Sequence, residues 1–329
     1  MAKTRSRNPR SQAKNRQRKP PAEPQHKRTH PKLTGPERAA RRKAEAAKAR
    51  RRVASRRFAW IAIGSVLVVV AGLVVVKIVT RPSAAGKSGL TSPAVVRQVA
   101  DVPESTLDAV GAGTSRQLPA ALPPTTPPLE AGGLPHVVYV GAEYCPYCAA
   151  QRWPLVMALS RFGRFTGLGE SESATDDVYP GTKTFTFHGS SYSSPYLVFT
   201  GVETHTNQPA LGGGYTTLET PTAEENRIIS TFDRPPYVPS SGAGAIPFLD
   251  IANRWVMSGT GVSPQVLQGM SMEQIAGKLS SPSDPVAQGI DGSANVLTAA
   301  ICDATGNEPA NVCGSKTISS IQAQLRSQG

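Results

Sequence analysis

Two of the four cysteines stand three residues apart in Cys145-Pro146-Tyr147-Cys148, close behind the apolar run HVVYVGA at His136 to Ala142. A cysteine at a helix start meets unsatisfied N–H groups and the positive end of the dipole, and both favour its thiolate. A second cysteine three residues on lies one turn below and can resolve the mixed disulfide that the first forms with a substrate. The spacing therefore suits thiol–disulfide exchange. Zinc is a competing reading, but it wants two further ligands, and Cys302 and Cys313 have ten residues between them and lack paired-ligand spacing. His26, His30, His136, His188 and His205 show no metal spacing either, so neither metal nor cofactor is expected. A structural bridge within Cys145–Cys148 would close too small a loop to constrain much chain. Glu143 is close enough to modulate the Cys145 thiol, although an exposed charge is its expected state.

The elements that must hold this motif follow from the neighbouring pattern. HVVYVGA reads as a central parallel strand, and CPYCAAQRWPLVMALSRFG as a helix ending at Gly163. Pro146 suits the first helical turn, whereas Pro154 should kink the helix. Leu155, Leu159 and Phe162 recur on one stripe, with Cys148 seven residues before Leu155. Cys148 is thus expected to be shielded and Cys145 exposed. Further on, FTFHGS and PYLVFTGVET look like strands, Thr220 to Asp233 like a helix, and the glycines of LGGGY like a turn rather than a phosphate loop. AIPFLDIANRWVMSG reads as two short strands, Phe248 to Ala252 and Trp255 to Ser258, turning at Asn253-Arg254. Ser271 and Gln274 form a capping box opening another helix, and a final helical pair surrounds Cys302 and Cys313.

The compartment is read from the first quarter of the chain. Residues 1–57 hold 21 Lys or Arg against three acids, a charge of +18, while the rest of the chain sums to −5. Next comes Phe58 to Val79, 22 residues with Lys77 as the single charge. As a helix this segment is about 33 Å long, matching a hydrocarbon core of roughly 30 Å. A cleaved signal peptide is the rival, since Ser83 to Gly86 (SAAG) offers small residues to a peptidase. Ten Lys or Arg in residues 38–57 against three in residues 80–97 put the N-terminus in the cytoplasm and the remainder outside. The expected organisation is a disordered basic cytoplasmic tail over 1–57, a transmembrane helix over 58–79, a Pro/Ala/Ser-rich linker with a short helix over 80–133, and a globular part over 134–329. The tail should contact anionic lipid. It lacks the aromatic interleaving that would favour nucleic acid.

Strand, C-x-x-C helix and a distant Ile-Pro leading into a hairpin and helix resemble the thioredoxin fold, with Ile246-Pro247 matching its cis-proline loop. AEYCPYC, IPFLDIANRW and the late cysteine pair together resemble the bacterial membrane proteins grouped as domain of unknown function 929, over roughly residues 90 to 329. The resemblance implies an α/β, thioredoxin-like domain with a long insertion at about 165–240 and a C-terminal helical extension. It also implies that Pro247 is cis and lies against the Cys145 sulfur, where the Ile246 backbone could pair with a substrate peptide. The expected function is a membrane-anchored extracytoplasmic thiol–disulfide oxidoreductase, with Cys145 as nucleophile and Cys148 as resolving thiol. Its partners would be exported cysteine-containing proteins and an unidentified membrane or thiol electron partner. A non-catalytic binding or assembly module on the same fold is the alternative. Cys302 and Cys313 are expected to form a structural disulfide, with a second redox pair as the functional alternative.

Overall fold

The computed structural model describes residues 89–115 and 117–327, a mixed α/β unit. The basic tail, the apolar span and residues 80–88 of the expected linker lie outside the described residues. Among the described residues no helix is long and apolar enough to cross a membrane.

Strand β3 (Leu134–Gly141) runs through the middle of the main sheet, and its last five residues are buried. Strand β8 (Val198–Glu203) lies parallel along one side, paired from His136↔Val198 to Gly141↔Glu203. Strand β11 (Phe248–Ile251) lies antiparallel along the other, followed by β12 (Trp255–Ser258) and the two-residue β1 (Ala120–Ala121). Strand β2 (Glu130–Ala131) pairs with the start of β3.

Strand alternation sends side chains to two cores. Val137, Tyr139, Leu249, Ile251 and Met257 face helix α3 (Pro146–Ser160) and helix α6 (Pro285–Ala304). Val138, Val140, Val202, Phe248 and Val256 face helix α4 (Ala223–Phe232) through Ile228 and Phe232. The capping box of Thr222 and Glu225 starts α4, and that of Ser271 and Gln274 starts helix α5 (Met272–Lys278). Asp284 caps α6, with Pro285 where a missing N–H costs nothing. Helix α7 (Ala310–Cys313) and the Ser315-capped helix α8 (Lys316–Arg326) are the last elements, and Cys313 ends the single turn of α7.

The described part of the expected linker is not a spacer. Helix α1 (Pro93–Ala100) buries Val95 and Val99, and helix α2 (Glu104–Val110) buries Leu107, all in the same core as α3 and α6. The turn after α2 lies directly on α6: a Cβ at Gly292 would come within 2.6 Å of the Ala112 carbonyl oxygen. The proline-rich stretch runs along the sheet as β1 and β2, and plugs Leu122 and Leu129 into the second core. The globular part therefore begins well before Leu134. A smaller correction concerns the β11–β12 hairpin, where Ala252 and Asn253, not Asn253 and Arg254, take the positive φ values of its turn. The Asp250 carboxylate fixes this turn by accepting from the Asn253 N–H at 2.7 Å.

Between α3 and β11 the chain adds three small antiparallel pairs: β4 (Arg164–Thr166) with β7 (Ser191–Ser193), β5 (Gly169–Glu172) with β6 (Lys183–Thr186), and β9 (His205–Pro209) with β10 (Tyr215–Thr217). The glycines of LGGGY form the exposed β9–β10 turn, as expected from the sequence.

Candidate active site

Cys145 is the N-cap of α3, in extended conformation, and its sulfur accepts the Cys148 N–H at 3.4 Å. One orphan donor of the helix start thus bonds the sulfur itself. The register of β11 brings the second wall. Phe248 lies opposite Val140, so Ile246 and Pro247 fall beside the segment where β3 turns into α3. The Ile246–Pro247 peptide is cis, and the Cys145 thiol faces the Ile246 carbonyl oxygen at 3.7 Å. Pro247 is held in turn by its own carbonyl, which accepts the Gly259 N–H at 2.7 Å.

The two thiols are driven apart electrostatically. Cys145 is lowered from its ordinary value, first by the hydrogen bond from Cys148 and then by the Cys148 and Tyr147 N–H groups and the Arg152 charge, against the opposing effect of burial. Cys148 is raised well above the ordinary thiol range by burial, and further by its bond to Cys145. This division matches a ready nucleophile and a resolving thiol kept protonated until needed.

Exposure is where the sequence expectation fails. Cys148 is wholly shielded, but Cys145 is only 6% exposed. The reason is the insertion, which folds against the active-site turn from several sides. The Ala174 N–H donates to the Tyr144 carbonyl at 2.8 Å, and the Glu143 N–H donates to the His205 carbonyl at 2.9 Å. Tyr144 stacks on Tyr215 at 4.2 Å, and Tyr147 meets Tyr179 edge to face at 6.0 Å. Helix α3, packed between α6, α1 and the insertion, is buried along nearly its whole circumference rather than on one stripe. Glu143, expected to be exposed, is buried too.

Behind Cys148 lies a charged pair that spacing arguments missed. Arg152 and Glu203 are both fully buried; Nε and Nη2 of Arg152 donate to the two Glu203 oxygens at 2.7 and 2.5 Å. Nη2 also donates to the Ala142 carbonyl at 2.8 Å, tying the pair to the active-site turn. Arg152 Nη1 and the Tyr139 hydroxyl are buried without a hydrogen-bond partner, and the guanidinium lies 5.9 Å from the Tyr139 ring centre. Burial raises the Glu203 carboxyl above its ordinary range, opposed by the Arg152 charge and its hydrogen bonds. The available signals were an arginine within an apolar helix and a glutamate closing an apolar strand.

Cys302 and Cys313 form a disulfide between the end of α6 and α7, with Cα atoms 5.6 Å apart and both residues buried. That bridge removes them as ligands for a shared four-cysteine metal site. Among the described residues, no group of three or more His, Cys, Asp or Glu is placed to hold a metal ion.

Compared with known proteins, the chain matches no curated protein and no solved structure. Residues 126–303 match the model of a family described as a domain of unknown function, DUF929. The match contains the paired cysteines, the 246–247 loop and the hairpin, and covers more than half of the chain, which therefore belongs to the DUF929 family.

Proposed function

We propose that this chain is a thiol–disulfide oxidoreductase built on a thioredoxin-like core, anchored by residues 58–79 with its domain outside the cytoplasm. The reading of the fold is supported by the strand order β8-β3-β11-β12, with one parallel and two antiparallel pairs, and by α3 leaving the central strand at the cysteine motif. The observation that carries the chemistry is the Cys145 sulfur, which accepts a helix N-terminal N–H, lies beside the Ile246 carbonyl and has a lowered thiol pKa next to a raised one.

In the reducing direction, the Cys145 thiolate attacks one sulfur of a client disulfide. A Cys145–client S–S bond forms, the client S–S bond breaks, and the other client sulfur leaves as a thiolate and takes up a proton. Cys148 then loses its proton and attacks the Cys145 sulfur, releasing the second client thiol and closing Cys145–Cys148. Two electrons pass from the dithiol to the client, and the reverse sequence oxidises a client dithiol. Net direction follows the reduction potential: about −120 mV suits an oxidase and about −270 mV a reductase.

Cys148→Ser should accumulate mixed disulfides with exported proteins, because the trapped complex has no intramolecular exit, and Cys145→Ser should not. Non-reducing gels of membranes carrying each variant test this; equal trapping by both would reject the assigned roles. The near-complete burial of Cys145 favours a second reading, a non-catalytic binding or assembly module, and the absence of adducts from either variant would select it.

A further inference from the structure

A cleft of about 440 Å³ opens beside Cys145. Its walls come from distant parts of the chain: Gln117, Tyr147 of α3, Tyr179 of the insertion, and two segments flanking the 246–247 loop, residues 242–246 and 258–264. Three properties define what it can hold. No Asp, Glu, Lys, Arg or His lines it. Three of its polar side chains are engaged with backbone: Ser258 Oγ donates to the Gly242 and Ala245 carbonyls at 2.8 and 3.2 Å, Thr260 Oγ1 donates to the Val262 carbonyl at 3.1 Å, and the Gln117 amide donates to the Ser258 carbonyl. One wall is aromatic, the edge-to-face pair of Tyr147 and Tyr179, and Tyr147 is 42% exposed although the neighbouring thiol is nearly covered. An occupant therefore meets a neutral surface with an exposed ring.

The position of the cleft identifies that occupant. Ile246 lines it, and the Ile246 carbonyl is 3.7 Å from the Cys145 sulfur. A chain joined to Cys145 by a disulfide passes the mouth of the cleft, so the side chains nearest its own cysteine fall within reach. A charged side chain entering here would lose hydration without a compensating partner. An aromatic or large aliphatic one would bury apolar area against two rings.

We propose that this cleft takes an aromatic or large aliphatic side chain within a few residues of the client's cysteine, and that Tyr147 and Tyr179 set that preference. The proposal rests on the exchange reading above. Its test uses the full chain in detergent, in its dithiol form, against short peptides whose single cysteine is disulfide-linked to thionitrobenzoate. The residue after that cysteine is Phe, Ala or Asp, and the symmetrical thionitrobenzoate disulfide serves as reference. Each turnover converts the protein dithiol to a disulfide and releases the peptide thiol and coloured thionitrobenzoate.

The Phe peptide should react about tenfold faster than the Ala peptide, with Asp slowest, given the usual discrimination of a hydrophobic pocket. Tyr147→Ala and Tyr179→Ala should each shrink the Phe-to-Ala ratio. Tyr179→Phe, which keeps the ring, and Leu211→Ala, at the exposed β9–β10 turn, should retain it. Equal rates for all three peptides alongside a reactive reference disulfide would overturn the cleft assignment and leave exchange chemistry standing. An unreactive reference disulfide would remove both.

Discussion

Arg152 follows Cys148 by one helical turn, and its buried guanidinium acts on both the thiols and the Ala142 carbonyl of the active-site turn. Replacing it with Met removes a positive charge that favours the Cys145 thiolate, so the Cys145 pKa should rise, read as a shift of the alkylation-rate profile to higher pH. The same change strands Glu203 in the core and should lower stability by about 3–5 kcal/mol. The double variant Arg152→Met/Glu203→Leu should recover most of that loss in urea titrations while keeping the altered thiol profile; an unchanged profile would reduce the pair to a packing role. Asp291 offers a separate test. It is buried in α6, neither carboxylate oxygen has a hydrogen-bond partner, and burial pushes its pKa up to about 8. The folded protein keeps a proton that the unfolded chain releases near pH ~4, so stability falls as pH rises between those values by about 1.4 kcal/mol per unit. Asp291→Asn cannot titrate. Its stability advantage over the parent should therefore widen from about pH 4 to 8 and level off above; a pH-independent difference would show that Asp291 is not protonated in the fold.

At the scale of elements, the Cys302–Cys313 bridge fastens α7 to the end of α6, and both sulfurs lie in the core. Closing a loop of this length contributes about 3 kcal/mol in the chain-entropy account. The double variant Cys302→Ala/Cys313→Ala should lose about that much in urea titrations and keep exchange at Cys145. Under graded dithiothreitol, an oxidised Cys145–Cys148 pair should open first, because reduction there releases a thiolate stabilised at a helix start, whereas Cys302 and Cys313 stand near the C-terminal ends of their helices. Mass-spectrometric mapping would read the order, and simultaneous opening would contradict it. Elements that announced themselves in sequence carried local backbone signals: the paired cysteines before a proline, the Ser271/Gln274 box, and the apolar runs on either side of the 252–253 turn. In residues 93–131 the expected helical segment is present as α1 and α2, but the stretch docks on the core and is no spacer, because proline content reports local stiffness, not where a few apolar side chains can dock. Val95, Val99, Leu122 and Leu129 bury themselves on partners distant in sequence. Within the insertion at about 165–240, PYLVFTGVET and Thr220 to Asp233 announced β8 and α4, and FTFHGS overlaps β6, but the other small strands, three to five residues long and rich in Ser, Thr and Gly, are too short for periodicity to show. Its Tyr179 and Tyr215 became part of the site only through that packing, as did the pairing of Arg152 with Glu203 across 51 positions.

For the whole molecule, the charge of +18 in residues 1–57 and −5 in the remainder divides the chain at the apolar segment. Juxtamembrane Lys and Arg are retained on the cytoplasmic side, which sets the orientation of the proposed anchor. A core disulfide suits an oxidising compartment, so Cys302–Cys313 supports the same side for the domain independently of charge. The proposed exchange with exported proteins depends on this proposed placement, because a C-x-x-C centre facing the cytoplasm would meet reduced thiols rather than folding exported proteins. Single cysteine probes introduced beyond Arg81 should be labelled by a membrane-impermeant maleimide on intact cells, and probes before Arg57 only after permeabilisation. The mature chain should retain residues 1–57. Labelling on both sides of the apolar segment would reverse the topology argument, and a mature N-terminus at Gly86 would convert the anchor into a cleaved signal peptide and release the domain from the membrane.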